Sequence, residues 1–527
     1  MKKAPWLIVC VLFLTACAGN VQWRESSASP PPAKPEPPAI PYRDVERYQT
    51  TLTSEPGVKR SSKEKVTYRP HTIAYIEFDE QGDFMDRHQL VDALANIPPS
   101  PNRLIVFYAH GWQNNTRSAD VGQFNALLAH LSHALNETDQ GHGSGMPWEV
   151  YGVYLGWRGT LYDPSDIYPA QPPSQRTSVE DILAKAKPSP FNTLASAPKL
   201  LTFWSRKDAA GRMAGAPLLE AINMISARAR TMPSPAPGPR QTKTILIGHS
   251  FGAYVIEKTV LQSISTIPPQ MDAKGTSYII PPADLVILLN SAAPAIYAKE
   301  FIEFLKWHGV GRDQPPFVIS VSSEADMATK LAFPLGTIPA SAFDIGSYRG
   351  ADTYHGANEK TFFTHTPGHT DYLPSFDAYP TDKLPFDQFA SDYENEWIFY
   401  RNLFPVPTDF AKTDLSFIAW DDPYAKNGDA ASSRIWQLKP TRAVDSSQLP
   451  FNDTPYWLVR VPASIIADHS DVWCPNSMNL LTSLIRLSGI ADNTSALRTI
   501  KLAPVAAPAE GHDRLALLRS YDENAGK

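Results

Sequence analysis

Seven short runs dominated by apolar, β-branched and aromatic residues recur along the chain. They are TIAYIEF at 72–78, RLIVFYA at 103–109, EVYGVYLGW at 149–157, KTILIG at 243–248, DLVILLN at 284–290, PFVISVS at 316–322 and YWLVRVP at 456–462. Their lengths suit strands, and their near-continuous apolar character suits strands covered on both faces. Between them the apolar positions change to a spacing of three or four. Phe124, Leu127, Leu128, Leu131 and Leu135 form one such stripe, and Leu218, Leu219, Ile222 and Ile225 another, as expected of helices facing a core. The alternation predicts an α/β fold with a mostly parallel central sheet flanked by helices. Between the sixth and seventh runs, about 337–450, lies a stretch rich in aromatics (TYHGANEKTFFTH, DYENEWIFYRNLF) with few strand signals. It reads as a large insertion before the last strand, either a lid or a surface elaboration.

The first residues, MKKAPWLIVCVLFLTACAGN, depart from this pattern. Lys2 and Lys3 precede an apolar stretch from Ala4 to Leu14 that suits the core of a signal peptide and is too short to span a bilayer as a helix. Leu14 to Cys17, LTAC, resembles the bacterial lipobox, in which cleavage leaves a lipid-bearing cysteine. That resemblance implies lipidation of Cys17, and Ala18 in place of Asp then implies sorting to the outer membrane, with the domain facing the periplasm. Of 49 prolines in 527 residues, many fall in SSASPPPAKPEPPAIP at 26–41, which favours polyproline II and reads as a tether. The expected organisation is a signal peptide at 1–16, anchor and tether at 17–65, the α/β domain at 66–500 and a tail at 501–527.

Composition narrows the partners. The chain is 43% hydrophobic and 19% charged, ordinary for a globular protein. A net charge of -6 gives no electrostatic reason to expect nucleic acid. Of three cysteines, Cys10 would leave with the signal and Cys17 would be acylated, so Cys474 has no internal partner and no disulfide framework is expected. Cys474 reads as a small buried hydrophobe.

The candidate chemistry centres on TILIGHSFGAYV at 244–255, where Ser250 stands between Gly248 and Gly252 after an apolar run. A chance G-x-S-x-G occurs in roughly one such chain in ten, so context must carry the reading. Gly252, Ile256, Val260 and Ile264 share one face of a following helix, which makes the stretch a strand-turn-helix elbow with Ser250 exposed at its bend. A serine hydroxyl needs a base before it is a nucleophile. Upstream, VFYAHGWQNN places His110 and Gly111 just past a strand, where an oxyanion loop would lie. The backbone N–H groups of Trp112 and Phe251 are the candidate oxyanion donors, with His110 orienting the loop. Downstream, VISVSSEADMATK ends a strand with Glu324 and Asp326, of which Asp326 is the preferred orienting acid. WLVRVPASIIADHSDVW delivers His469, the preferred base. His365 and His369 are four apart, as in a metal pair, but Pro367 and Gly368 oppose the helix that would need. His249 reads as structural.

Together these blocks resemble the α/β-hydrolase superfamily of serine esterases and lipases. HGWQNN, GVYLGWRG, TFWSRKDAA, IGHSFGAYV, SEADMATKLAFPLG and VPASIIADHSDVW are more narrowly similar to the recurring blocks of a largely uncharacterised microbial branch of it, over roughly residues 72–485. The resemblance implies an α/β-hydrolase fold with Ser250 as nucleophile, Asp326 as acid and His469 as base, in that chain order. The long insertion before His469 departs from the common plan, in which lids more often follow the sixth strand. The implied activity is hydrolysis of carboxylic esters, of a small-molecule or lipid substrate, through an acyl-enzyme and without metal or organic cofactor. Thioester or amide hydrolysis shares the machinery, and a non-catalytic binding or scaffold module on the same fold is an alternative from another class. Oligomeric state leaves no trace in the sequence.

Overall fold

The computed structural model describes residues 22–24, 26, 43–48, 51–52, 66–67, 70–112, 114–137, 147–159, 203, 205–232, 241–266, 270–271, 277–278, 281–308, 317–334, 337, 353–354, 357–358, 360–370, 372–373, 375–381, 400–401, 414–418, 435–440, 455–473, 477, 480–481, 484–485, 501–502 and 504–505. The signal-peptide stretch, Cys10, Cys17, Cys474 and the proline-rich segment after Ser26 lie outside these. No helix among the described residues is long and apolar enough to cross a membrane.

Among the described residues twelve strands form one mixed sheet. In chain order they are β1 (Val45–Tyr48), β2 (His71–Phe78), β3 (Asn102–Ala109), β4 (Trp148–Trp157), β5 (Gln241–His249), β6 (Leu285–Leu289), β7 (Val318–Ser323), β8 (Phe376–Thr381), β9 (Asp414–Ile418), β10 (Ile435–Pro440), β11 (Tyr456–Val461) and β12 (Pro504–Val505). Across the sheet the order is β1-β2-β4-β3-β5-β6-β7-β11-β8-β10-β9-β12. From β2 through β8 every neighbouring pair is parallel, while β1 and the strands beyond β8 pair antiparallel. All seven runs read from the sequence are strands of this sheet.

Two cores cover it. On β3, Ile105, Phe107 and Ala109 face one core, and Leu104, Val106 and Tyr108 face the other. The first core is built on helices α1 (His88–Ala95), α3 (Ala216–Thr231), α4 (Phe251–Thr266) and α5 (Ala295–Trp307); the second on α2 (Ala119–Glu137). Chain direction explains the split. From β3 the chain steps toward β4, and from β5 toward β6, in the opposite sense, so right-handed crossovers put α2 on one face and α4 on the other. The reversal opens a crevice between the ends of β3 and β5, where α/β sheets bind ligands.

Two boundary expectations need correction. The domain does not begin at residue 66: β1 lies in the expected tether, and Tyr75 N–H donates to Asp44 O at 2.7 Å. Trp23 and Arg24 are buried against the domain, and Arg24 Nη1 donates to Arg43 O at 2.9 Å, so both ends of the proline-rich segment are fastened to one place. At the other edge, β8, β9 and β10 come from the insertion, and β12 from the expected tail. The described part of the insertion therefore extends the sheet beyond β11. A short turn, Pro367–His369, packs on β7, where a Cβ at Gly368 would stand 2.1 Å from Ser322 Oγ.

Candidate functional site

Four adjacent parallel strands, β5, β6, β7 and β11, lead into Ser250, Asn290, Asp326 and His469, which lie one, one, three and eight residues past the strand ends. Ser250 adopts φ 57° between β5 and α4, a left-handed conformation that strains a residue with a Cβ by roughly 1–2 kcal/mol. Its main chain is held there: Ser250 N–H donates to Leu289 O at 3.0 Å and Ser250 O accepts from Ala292 N–H at 3.1 Å. The bend works because the flanking chain is bare. A Cβ at Gly252 would lie 2.0 Å from Ala109 O, and one at Gly111 would lie 2.9 Å from Ser250 Cβ.

His469 Nε2 stands 2.8 Å from Ser250 Oγ, and His469 Nδ1 stands 2.8 Å from Asp326 Oδ2. Asp326 is buried and also accepts from the Thr329 hydroxyl at 2.5 Å and Thr329 N–H at 3.0 Å. Burial pushes its pKa up, but the neighbouring His469 and these hydrogen bonds outweigh burial and bring it to about 2. Glu324, the other candidate acid, is exposed.

Two further residues, His249, read from the sequence as structural, and Asn290, which the sequence did not single out, hold His469 from behind. His249 Nε2–H donates to His469 O at 2.9 Å, with the two rings 5.1 Å apart. Asn290, itself at φ 42°, donates from Nδ2 to His469 O at 3.0 Å, while its Oδ1 accepts from Ser323 N–H at 2.8 Å. Burial lowers the His249 pKa to about 3, so its ring stays neutral.

The loop after β3 brings Gly111 against Ser250, with Trp112 the next residue along. His110 is fully buried under it, accepting Trp157 N–H at Nε2 (3.1 Å) and donating from Nδ1 to Gly111 O (2.9 Å). Burial lowers its pKa to about 4, consistent with a neutral ring that orients rather than titrates. Phe251 opens α4, so its N–H has no intrahelical acceptor. Phe203 bridges an aromatic wall, with ring centroids 5.9 Å from Trp112, 5.0 Å from Phe251 and 6.2 Å from Phe333.

The two other candidate histidines bond elsewhere or lie in another turn. His365 Nδ1 bonds the Thr364 hydroxyl at 3.0 Å. His369 lies in the Pro367–His369 turn near the Asp326 carboxylate, and burial lowers its pKa to about 4. Among the described residues no group of three His, Cys, Asp or Glu gathers as metal ligands would.

The class that fold and site define is an α/β protein with a mostly parallel sheet and a serine-histidine-aspartate cluster at its strand ends. No family model matches the chain, and no curated protein matches it. Two solved structures are similar to it at a low level. An uncharacterized protein from Pseudomonas aeruginosa shares 12% identity at a TM-score of 0.18, over 47% of this chain and 38% of its own. The Tle1 effector bound to the VgrG spike of the type 6 secretion system shares 10% identity at a TM-score of 0.20, over 84% of this chain and 80% of its own. The chain thus spans less than half the length of the first and four-fifths of the second.

Proposed function

We propose that this protein is a serine hydrolase of the α/β-hydrolase fold that cleaves carboxylic esters through an acyl-enzyme. The observation that carries the reading is the pair of 2.8 Å contacts that His469 makes, one with Ser250 Oγ and one with Asp326. In this reading His469 Nε2 takes the hydroxyl proton as Ser250 Oγ attacks the ester carbonyl. Asp326 holds the proton on Nδ1 and stabilises the imidazolium that forms. The N–H groups of Trp112 and Phe251 receive the oxyanion of the tetrahedral intermediate. His469 then gives its proton to the leaving alkoxide, which departs as the alcohol. Water, deprotonated by the same nitrogen, attacks the acyl-enzyme, and collapse releases the acid and restores Ser250. The strained serine between strand and helix, and the chain order Ser250, Asp326, His469, support the fold assignment. The aromatic wall of Trp112, Phe203, Phe251 and Phe333 suits an apolar acyl group of a small-molecule or lipid ester.

Fluorophosphonate labelling tests the reading. The wild type should form one adduct, at Ser250, and Ser250→Ala should form none and lose at least ~10³ in turnover. Equal labelling of both proteins would discard it. Matched oxygen esters, thioesters and amides distinguish the bond cleaved, the oxygen ester being the expected best substrate. We further propose a lipid anchor at Cys17 in the outer membrane with the domain on the periplasmic side, a reading that rests on the lipobox resemblance. Cys17→Ser should release the protein from membranes at unchanged specific activity; retention on the membrane would place the anchor elsewhere.

A further inference from the structure

The chain just before the proline-rich segment makes contacts that a linker has no reason to make. Arg24 is buried, with 3% of its surface exposed, and a buried guanidinium is tolerated only when its donors are matched. Its Nε and Nη2 both donate to Thr116 O, at 3.2 and 2.8 Å, and its Nη1 pairs with Glu46 at 2.9 Å. The guanidinium lies 3.5 Å above the centre of the Tyr75 ring. Beneath it, the fully buried Glu77 accepts Trp23 N–H at 3.1 Å, Arg24 N–H at 3.0 Å and the Thr116 hydroxyl at 2.6 Å. Arg117 Nη2 donates back to Trp23 O at 3.2 Å.

Thr116 and Arg117 belong to the loop after β3 that carries Trp112. This loop is gripped from three sides. His110 supports it from below. The end of β4 and the residues after it press on it: a Cβ at Gly156 would stand 2.3 Å from Thr116 Cγ2, and one at Gly159 would stand 2.6 Å from Asn114 O. Trp23 and Arg24 close the third side, from a part of the chain more than 80 residues earlier.

We infer that Arg24 is a positioning residue, which with Trp23, Glu77 and Thr116 clamps the 110–118 loop so that Trp112 N–H is held at Ser250. The hydrolytic role of this clamp rests on the proposed function above; the clamp itself does not. Thr116 O and the Glu77 carboxylate have these donors only while the N-terminal segment is seated, and the Thr116 hydroxyl ties the loop to the same carboxylate. Removing the guanidinium strips Thr116 O of two donors and frees the loop to shift, and a displacement of about 1 Å at an oxyanion donor is enough to lose ~10²-fold in rate.

The test uses the full chain as wild type, Arg24→Ala, Thr116→Val and Thr116→Ser. Turnover of a p-nitrophenyl ester is divided by active sites titrated with fluorophosphonate, a boronic acid measures affinity for a tetrahedral adduct, and hydrogen exchange follows the 110–118 amides. Arg24→Ala and Thr116→Val should lower kcat per titrated site by about tenfold or more and weaken the boronic acid by a similar factor. KM should stay within about twofold, as for an interaction felt mainly in the transition state. Thr116→Ser, which keeps the hydroxyl, should behave as wild type, and loop exchange should quicken in the first two variants alone. Unchanged loop exchange overturns the clamp. Quickened exchange with unchanged kcat per site and boronic acid affinity overturns its positioning role. A loss of activity that only tracks the number of titratable sites reduces Arg24 to a folding role. A wild type that neither labels nor turns over, yet shows quickened loop exchange in the variants, sinks the hydrolase reading and leaves the clamp standing.

Discussion

Both oxygens of Asp326 are committed, Oδ2 to His469 and the Thr329 hydroxyl and Oδ1 to Thr329 N–H. With its pKa near 2 the carboxylate is ionised throughout the physiological range, so the His469 proton is fixed on Nδ1 and the lone pair on Nε2 faces Ser250. Asp326→Asn replaces one acceptor oxygen with an NH₂ and forfeits that control. Steady-state turnover should fall by about 10² to 10⁴ with the thermal midpoint little changed; near-normal turnover would remove Asp326 from the proposed machinery. At this scale the sequence was informative wherever chemistry demands a residue type. Ser250 stood between glycines at the end of an apolar run, and Asp326 and His469 followed strands. Thr329 sits three residues after Asp326, the spacing of a side chain capping the next turn, and was open to the same reading. Asn290 and His249 were not legible as supports, because both bind a main-chain carbonyl 179 and 220 residues away, and a carbonyl is common to every residue.

The packing of β5 and α4 against β3 leaves no room at the elbow. Gly252→Ala would place a methyl 2.0 Å from Ala109 O, and the contact is with backbone, which cannot swing aside. The helix must therefore tilt away and carry Phe251 N–H with it. We expect a loss of about 1–3 kcal/mol in urea denaturation and a fall in turnover that persists below the melting transition. Full turnover in the folded variant would show that the elbow tolerates a wider angle. The strands of the inner sheet were readable because burial on both faces demands apolar runs. The outlying strands were not. Val45–Tyr48, at the edge, reads VERY, with two charges in four residues, and Phe376–Thr381, paired on both sides, contains Pro380, compositions that sequence patterns count against a strand. The crossover of α2 to the opposite face was likewise invisible residue by residue, since it follows from strand order and handedness rather than from local preference.

At the scale of the whole molecule, the helix α4 that lines the first core carries a carboxylic acid that no proposed step uses. Glu257 on α4 is fully buried, with Oε1 accepting the Tyr456 hydroxyl from β11 at 2.5 Å. Burial pushes its pKa from 4.5 up to about 7. Between those two values the folded protein holds a proton that the unfolded chain has lost, so stability declines as pH rises from about 4.5 to 7, by at most about 3 kcal/mol. Glu257→Gln cannot ionise, and urea midpoints at pH 5 and pH 8 should differ less in this variant than in the wild type. An equal pH dependence in both would show that Glu257 does not govern it. The extent of the domain was the least legible property of all. Trp23 and Arg24 look in sequence like the approach to a linker, and only their partners, at Glu77, Thr116 and Arg117, reveal them as part of the body. That fastening changes what the proline tract can do. With Arg24 and Arg43 side by side, lengthening the tract would enlarge a loop and raise nothing. Under the proposed anchoring at Cys17, only the five peptide steps from Cys17 to Gln22 would remain as a leash, spanning at most roughly 18 Å, so the acylated chain would skim the lipid headgroups rather than swing above them.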